Sequence, residues 1–248
     1  TAAIGALSTD QVSNLTTSQV EALSTAQVKA LTTAGMDALT TAQLNALETR
    51  DVAALSTAQV QAIGSDIAAL STGNLNAMGT AQIAALTTAQ VDSLTTTQLN
   101  AMETADVAAL TTAQVRAITA ADMSELSTGT LNALGTAQIA ALLTDQIADL
   151  STTQLAAMET RDVADLTTAQ IQLGATNGQL VALTTAQANA LTTAQIQQGL
   201  TTAQVAALET SDVAALKTSQ IAALTTAQVQ LGLTTDQLVA LTTAQAAG

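Results

Sequence analysis

Apolar residues recur along the chain at two fixed places in a block of eight. Leu, Ile or Met opens the block, Val, Ile or Leu follows five places later, and the whole reads Leu-(Thr/Ser)-Thr-Ala-Gln-(Val/Ile/Leu)-x-Ala. The opening residue falls every eight places from Leu7 to Ile63 and from Leu70 to Leu166. It continues at Leu173, Leu183, Leu191, Leu200, Leu208, Leu216, Leu224, Leu233 and Leu241. Self-similarity of this kind is read before any single motif. The octad predicts the start of a helix. With Thr or Ser in second place as the N-cap, Gln or Asp in fifth place is the third helical residue, N3, which forms a capping box. The opening Leu and the Val in sixth place then form the hydrophobic staple. Leu15, Thr16, Gln19 and Val20 make one such set, and Leu110, Thr111, Gln114 and Val115 another.

One continuous α-helix does not fit this period. At ~100° per residue an octad overshoots two turns by about 80°, so the apolar residues wind around the helix instead of forming a stripe. Thr pairs also favour caps and ends over helix interiors. A β-solenoid is the alternative, because eight is even and Thr and Val suit strands. Against it, the two apolar places have opposite parity and face opposite sides of a strand. The fold class expected is all-α: a solenoid or superhelix of very short helices, one per octad. Helices this short do not stand alone, so stability has to come from stacking. Leu, Val and Ile are expected inside, with Thr, Gln and scattered charges outside.

Residues 1–248 read as a single continuous array of about thirty octads. The register breaks at Gly64 and over 173–183, with longer steps at Gly199 and Gly232, where glycine can absorb a changed backbone path. A longer period overlies the octad. STGNLNAMGTAQIAAL after Leu70 returns as STGTLNALGTAQIAAL after Leu126, and Glu-x-x-Asp recurs at Glu48–Asp51, Glu103–Asp106, Glu159–Asp162 and Glu209–Asp212. Seven octads, about 56 residues, are thus expected to make one or two whole turns.

Composition removes most chemistry. Phe, Tyr, Trp, His, Cys and Pro are all absent, so imidazole and thiolate sites and disulfides are excluded. A formal net charge of -14 repels phosphates and anionic lipid surfaces, and neither nucleic acid binding nor membrane insertion is expected. No nucleophile–base pair, phosphate-cradling Gly loop or metal-ligand spacing is present, so the chain is not expected to be an enzyme. No catalytic, cofactor-binding or metal-ligating residue is assigned. The Glu-x-x-Asp segments could line up as a Ca²⁺ site, but N-cap and N3 placement near the helix dipole explains them without a ligand. Arg50 and Arg161 then balance local charge, and Met78, Met102 and Met158 fill apolar register places. The start, TAAIGALSTD, is not a basic-then-apolar leader and begins with Thr, as in a mature form or an excerpt.

Leu-Thr-Thr-Ala-Gln-Val-x-Ala-Leu resembles the first-helix opening of TAL-effector repeats over one octad. The second helix and base-reading loop of that family have no counterpart here, so DNA reading does not carry over. Across all 248 residues the acidic, Thr-rich, Cys-free composition is similar to the repeat regions of large secreted bacterial surface and filament proteins. That resemblance implies an extracellular or cell-surface structural role as stalk, fibre or filament subunit. The ends, TAAIGAL and LTTAQAAG, carry no charged capping unit, so end-to-end self-association is the expected partnership. The other reading is a binding module that presents a Thr-lined surface to glycan, ice or a protein partner.

Overall fold

Each Thr pair ends one helix and starts the next. In the octad Thr111–Ile118 the N-cap Thr111 is extended (φ -72°, ψ 158°), the helix runs Thr112–Ala117, and Ile118 is extended again (φ -63°, ψ 127°). Two successive extended residues make a corner, and the Thr111 hydroxyl fixes it by accepting the N–H of Gln114 at 3.2 Å. The structure, a computed structural model, describes residues 1–246; the final two residues of LTTAQAAG lie outside the described residues. Among those described there are twenty-seven α-helices of four to six residues, one 3-10 segment, three π segments and no strand. The all-α solenoid of short helices, one per repeat, is the fold, and the β-solenoid is excluded.

The chain divides into two compact units, Thr1–Ile118 and a second beginning at Thr119. Within the first, helices three apart in sequence stack: Thr17–Glu21 packs on Thr41–Ala46, and Thr80–Ala85 on Thr104–Ala109. The second repeats this, with Ala120–Glu125 on Thr144–Asp149 and Thr136–Ala141 on Thr160–Asp165. The sixth residue of each octad and the opening residue of the next point inward together, as Val115 and Ile118 do in the first unit and Leu155 and Met158 in the second. All five Met residues are buried in this register.

Changes of register are absorbed by changes of helix type. Between Ile63 and Leu70 one residue is missing, and the tighter 3-10 segment Gly64–Ala69 takes the place of an α-helix, still burying Ile67 completely. Gly64 has φ +60°, the only positive φ among the described residues, and there glycine serves the backbone path as expected. The other breaks work differently. Gln170–Gly174, Gln195–Gly199 and Gln228–Gly232 are π segments. Each is closed by a bond spanning five residues: Ala175, Leu200 and Leu233 donate to the carbonyls of Gln170, Gln195 and Gln228, all at 2.9 Å. A wider turn accommodates one extra residue, making a unit of nine.

This corrects the register read from the sequence. Leu173 is 72% exposed and opens no unit; Ala175 stands in that place, followed by the N-cap Thr176. The irregular stretch is therefore 166–175, and 175–183 is an ordinary octad. At Gly174 and Gly232 glycine is needed for closeness, not for φ. A Cβ on Gly174 would lie 2.7 Å from the Thr144 carbonyl oxygen and 3.1 Å from Cβ of Ile147.

Candidate functional site: the joints between turns

A helix of six residues leaves most of its backbone N–H and C=O groups without partners inside the helix. Here the N3 glutamine deals with both ends. Gln114 Oε1 accepts the N–H of the N-cap Thr111 at 2.6 Å, completing the capping box. Its Nε2 donates to the carbonyls of Ile83 at 2.9 Å and Leu86 at 2.7 Å, which close the helix one turn earlier. Gln43 does the same to Val12 and Leu15, and Gln98 to Ile67 and Leu70. In the second unit Gln154 serves Met123 and Leu126, Gln187 serves Leu155 and Met158, and Gln228 serves Ile196 and Leu200. The glutamines form a ladder of buried amides, each joining a helix start to the helix ends of the preceding turn.

The ladder overturns one expectation: these glutamines lie inside, with Gln114 2% and Gln146 1% exposed. A primary amide has a donor to spare after capping, and burial is tolerated because both of its ends are bonded. The ladder also measures the coil. Backward bonds from the N3 Gln span 28 and 31 residues, while forward bonds from Asn45 and Gln61 to the carbonyls of Ala69 and Ala85 span 24. One turn therefore lies between three and four octads, at about three and a half, and seven octads come to about two turns. Where N3 is Asn, the amide still donates to the preceding turn, as Asn74 does to the Leu47 carbonyl at 3.1 Å, but the N-cap N–H finds its acceptor in that turn instead. Asn74 occupies N3 after Ser71, and the Ser71 N–H goes instead to Asn45 Oδ1 at 2.8 Å.

Five α-helices carry Asp at N3 in place of Gln: Asp122 follows a Thr N-cap that accepts its N–H, and the other four follow Glu. Glu48, Glu103, Glu159 and Glu209 occupy N-caps without a side-chain cap bond, and Asp51, Asp106, Asp162 and Asp212 occupy N3, all four buried. Thr25 of the preceding turn donates its hydroxyl to Asp51 Oδ1 at 2.6 Å. Arg50 bridges Glu48 at 2.6 Å, and Arg161 reaches Glu159 at 3.3 Å and Asp162 at 3.1 Å, the local charge balance expected. Burial raises the carboxyls of Asp106, Asp162 and Asp212 above the ordinary 3.8. The Arg161 hydrogen bond and charge pull against this at Asp162, as the Thr185 hydroxyl does at Asp212. Neighbouring glutamates add to the rise at all three. Among the described residues no three carboxylates converge as a cation site.

A surface depression lined by Leu208, Glu209, Thr210, Thr234, Asp236 and Gln237 is a shallow feature of the groove between stacked turns of the second unit. Among the described residues no helix is long and apolar enough to cross a membrane.

Short capped helices, one per octad and joined turn to turn by buried amides, define a structural class: an α-solenoid repeat protein, an all-helical repeat architecture that fits a structural scaffold. The chain belongs to the ALTTAQ repeat family, whose model matches residues 1–25, 17–49, 67–102, 99–125, 117–152 and 205–243. The longest unmatched stretch, 153–204, contains two of the three nine-residue units. No curated protein matches the chain in sequence.

Proposed function

We propose that the chain is a non-enzymatic structural repeat protein that serves outside a bacterial cell as a stalk, fibre or self-assembling filament subunit. The observation that carries this reading is the polarity of the ladder. Every turn presents Gln Nε2 donors on its N-terminal side and pairs of helix-end carbonyls on its C-terminal side, so a turn is complementary to the next turn and not to itself. Gln11, Gln19 and Gln27 hold their N3 places in the first turn of the first unit. Turns of a second copy laid on with the same polarity continue the amide ladder, a heterologous contact that propagates instead of closing. The extracellular setting rests on the Cys-free, acidic, Thr-rich composition.

The Thr-lined binding face has less support. The first Thr of each pair is occupied with capping, as Thr16, Thr95 and Thr111 are, and only the second Thr remains for a surface or glycan partner. The test is electron microscopy and sedimentation of the chain diluted from denaturant. Wild type is expected to form head-to-tail polymers, and Gln11→Glu/Gln19→Glu/Gln27→Glu to stay short, because a carboxylate cannot donate to a carbonyl. A strictly monomeric wild type at every concentration would overturn the filament reading.

A further inference from the structure

The Asp joints differ from the Gln joints in one chemical respect. Gln154 places N–H groups on the Met123 and Leu126 carbonyls of the preceding turn. Eight residues later Asp162 holds the same N3 place, 1% exposed, and the carbonyls at the same separations behind it belong to Leu131 and Leu134. An ionised carboxylate only accepts, so it offers those carbonyls nothing. Asp212 repeats the arrangement. It is 2% exposed, and Leu180 and Leu183 stand behind it where Ala188 and Leu191 stand behind Gln220. In both joints Oδ2 is buried and has no hydrogen-bond partner. A buried, unpartnered carboxylate oxygen at the place where neighbouring joints carry an amide donor is a place for a proton.

We propose that Asp162 and Asp212 are proton-binding joints: on acidification each takes a proton from solvent onto Oδ2, becomes an O–H donor toward the preceding turn, and tightens the second unit. No other bond changes, and Oδ1 remains the acceptor. The groups around each site are few. Asp162 is faced by Glu159, Arg161 and Asp165 of its own segment, while the helices packed on it, Thr136–Ala141 and Thr185–Ala190, contain no titratable residue. Asp212 has Glu209 and Lys217 along its own stretch, the Thr185 hydroxyl on one side and Asp236 in the helix Thr235–Ala240 on the other. The sign follows from burial. Both carboxyls lie above 3.8 in the fold, so the gain is complete below the unfolded value and is lost as pH rises through the raised one.

Thermal melts of the full chain at pH 7 and pH 4, followed by circular dichroism, test this. Wild type is expected to melt a few degrees higher at pH 4. Asp162→Asn/Asp212→Asn, whose amides donate at any pH, is expected to melt at pH 7 near the wild-type acid value and to lose most of the rise. Asp37→Asn/Asp149→Asn removes two exposed charges and is expected to keep it, which separates the joints from general relief of negative charge. Asp162→Gln/Asp212→Gln copies the neighbouring joints and provides the same readout should the Asn pair fail to fold. The proposal is overturned if the Asn or Gln pair keeps the wild-type rise, or if wild type shows none.

Discussion

Replacing Gln114 by Ala removes three hydrogen bonds and leaves the carbonyls of Ile83 and Leu86 without their amide inside the coil. A buried polar group stripped of its partner costs about 1–3 kcal/mol, so Gln114→Ala is expected to destabilise the first unit by about 2–3 kcal/mol in urea unfolding. Thr111→Ala, which loses only the N-cap acceptor, should cost about 1 kcal/mol. Thr112→Ala, in the exposed first helical place, should be within about 0.5 kcal/mol of wild type. The order of these three is the check, since capping alone would make Thr111 at least as costly as Gln114. The residue pattern contains a sign of the second task of Gln. A capping box accepts Glu as readily as Gln, yet Glu never occupies N3 in this chain. A residue that only capped would not need to be an amide; one that must also donate does.

At the scale of the element, helix type follows the length of the unit. Seven residues give a 3-10 segment at Gly64–Ala69, eight give an α-helix, and nine give a π segment at Gln170–Gly174. All three bring the next opening residue to a similar inward place, because turns of three, 3.6 and more residues compensate for the change in count. The octad, the capping box and the staple were legible from Leu110, Thr111, Gln114 and Val115 alone. The nine-residue unit 166–174 is not legible in the sequence, since Leu173, an apolar residue near the right spacing, looks like an opening residue until its exposure is known. Gly174→Ala is expected to lower thermal stability by about 1–3 kcal/mol through the contact with the Thr144 carbonyl, with helical content at low temperature largely kept.

At the scale of the whole molecule, each unit is a set of nearly equivalent joints, and its stability should behave as a sum over neighbouring repeats. Deleting one whole octad, residues 87–94, rejoins Leu86 to Thr95 and leaves Gln98 and Gln114 of the first unit facing carbonyl pairs of the same kind. That deletion is expected to preserve the helical spectrum and move the melting temperature by only a few degrees. Removing residues 87–90 instead shifts everything that follows by half a unit. The Gln amides then miss the helix-end carbonyls, and loss of cooperative melting is expected.

The sequence by itself determined the unit. Thr in second place, an amide or acid three places later and two inward aliphatics dictate a short capped helix, because capping and stapling are local and need nothing beyond eight residues. The absence of rings, imidazole and thiol also removed most catalytic chemistry without reference to any fold. Tertiary structure alone decided which turn each Gln amide reaches, the pitch of about three and a half octads, and the burial of Asp162 and Asp212. Those depend on partners some thirty residues away, and a repeat whose units are nearly alike gives no local indication of which earlier unit is the neighbour.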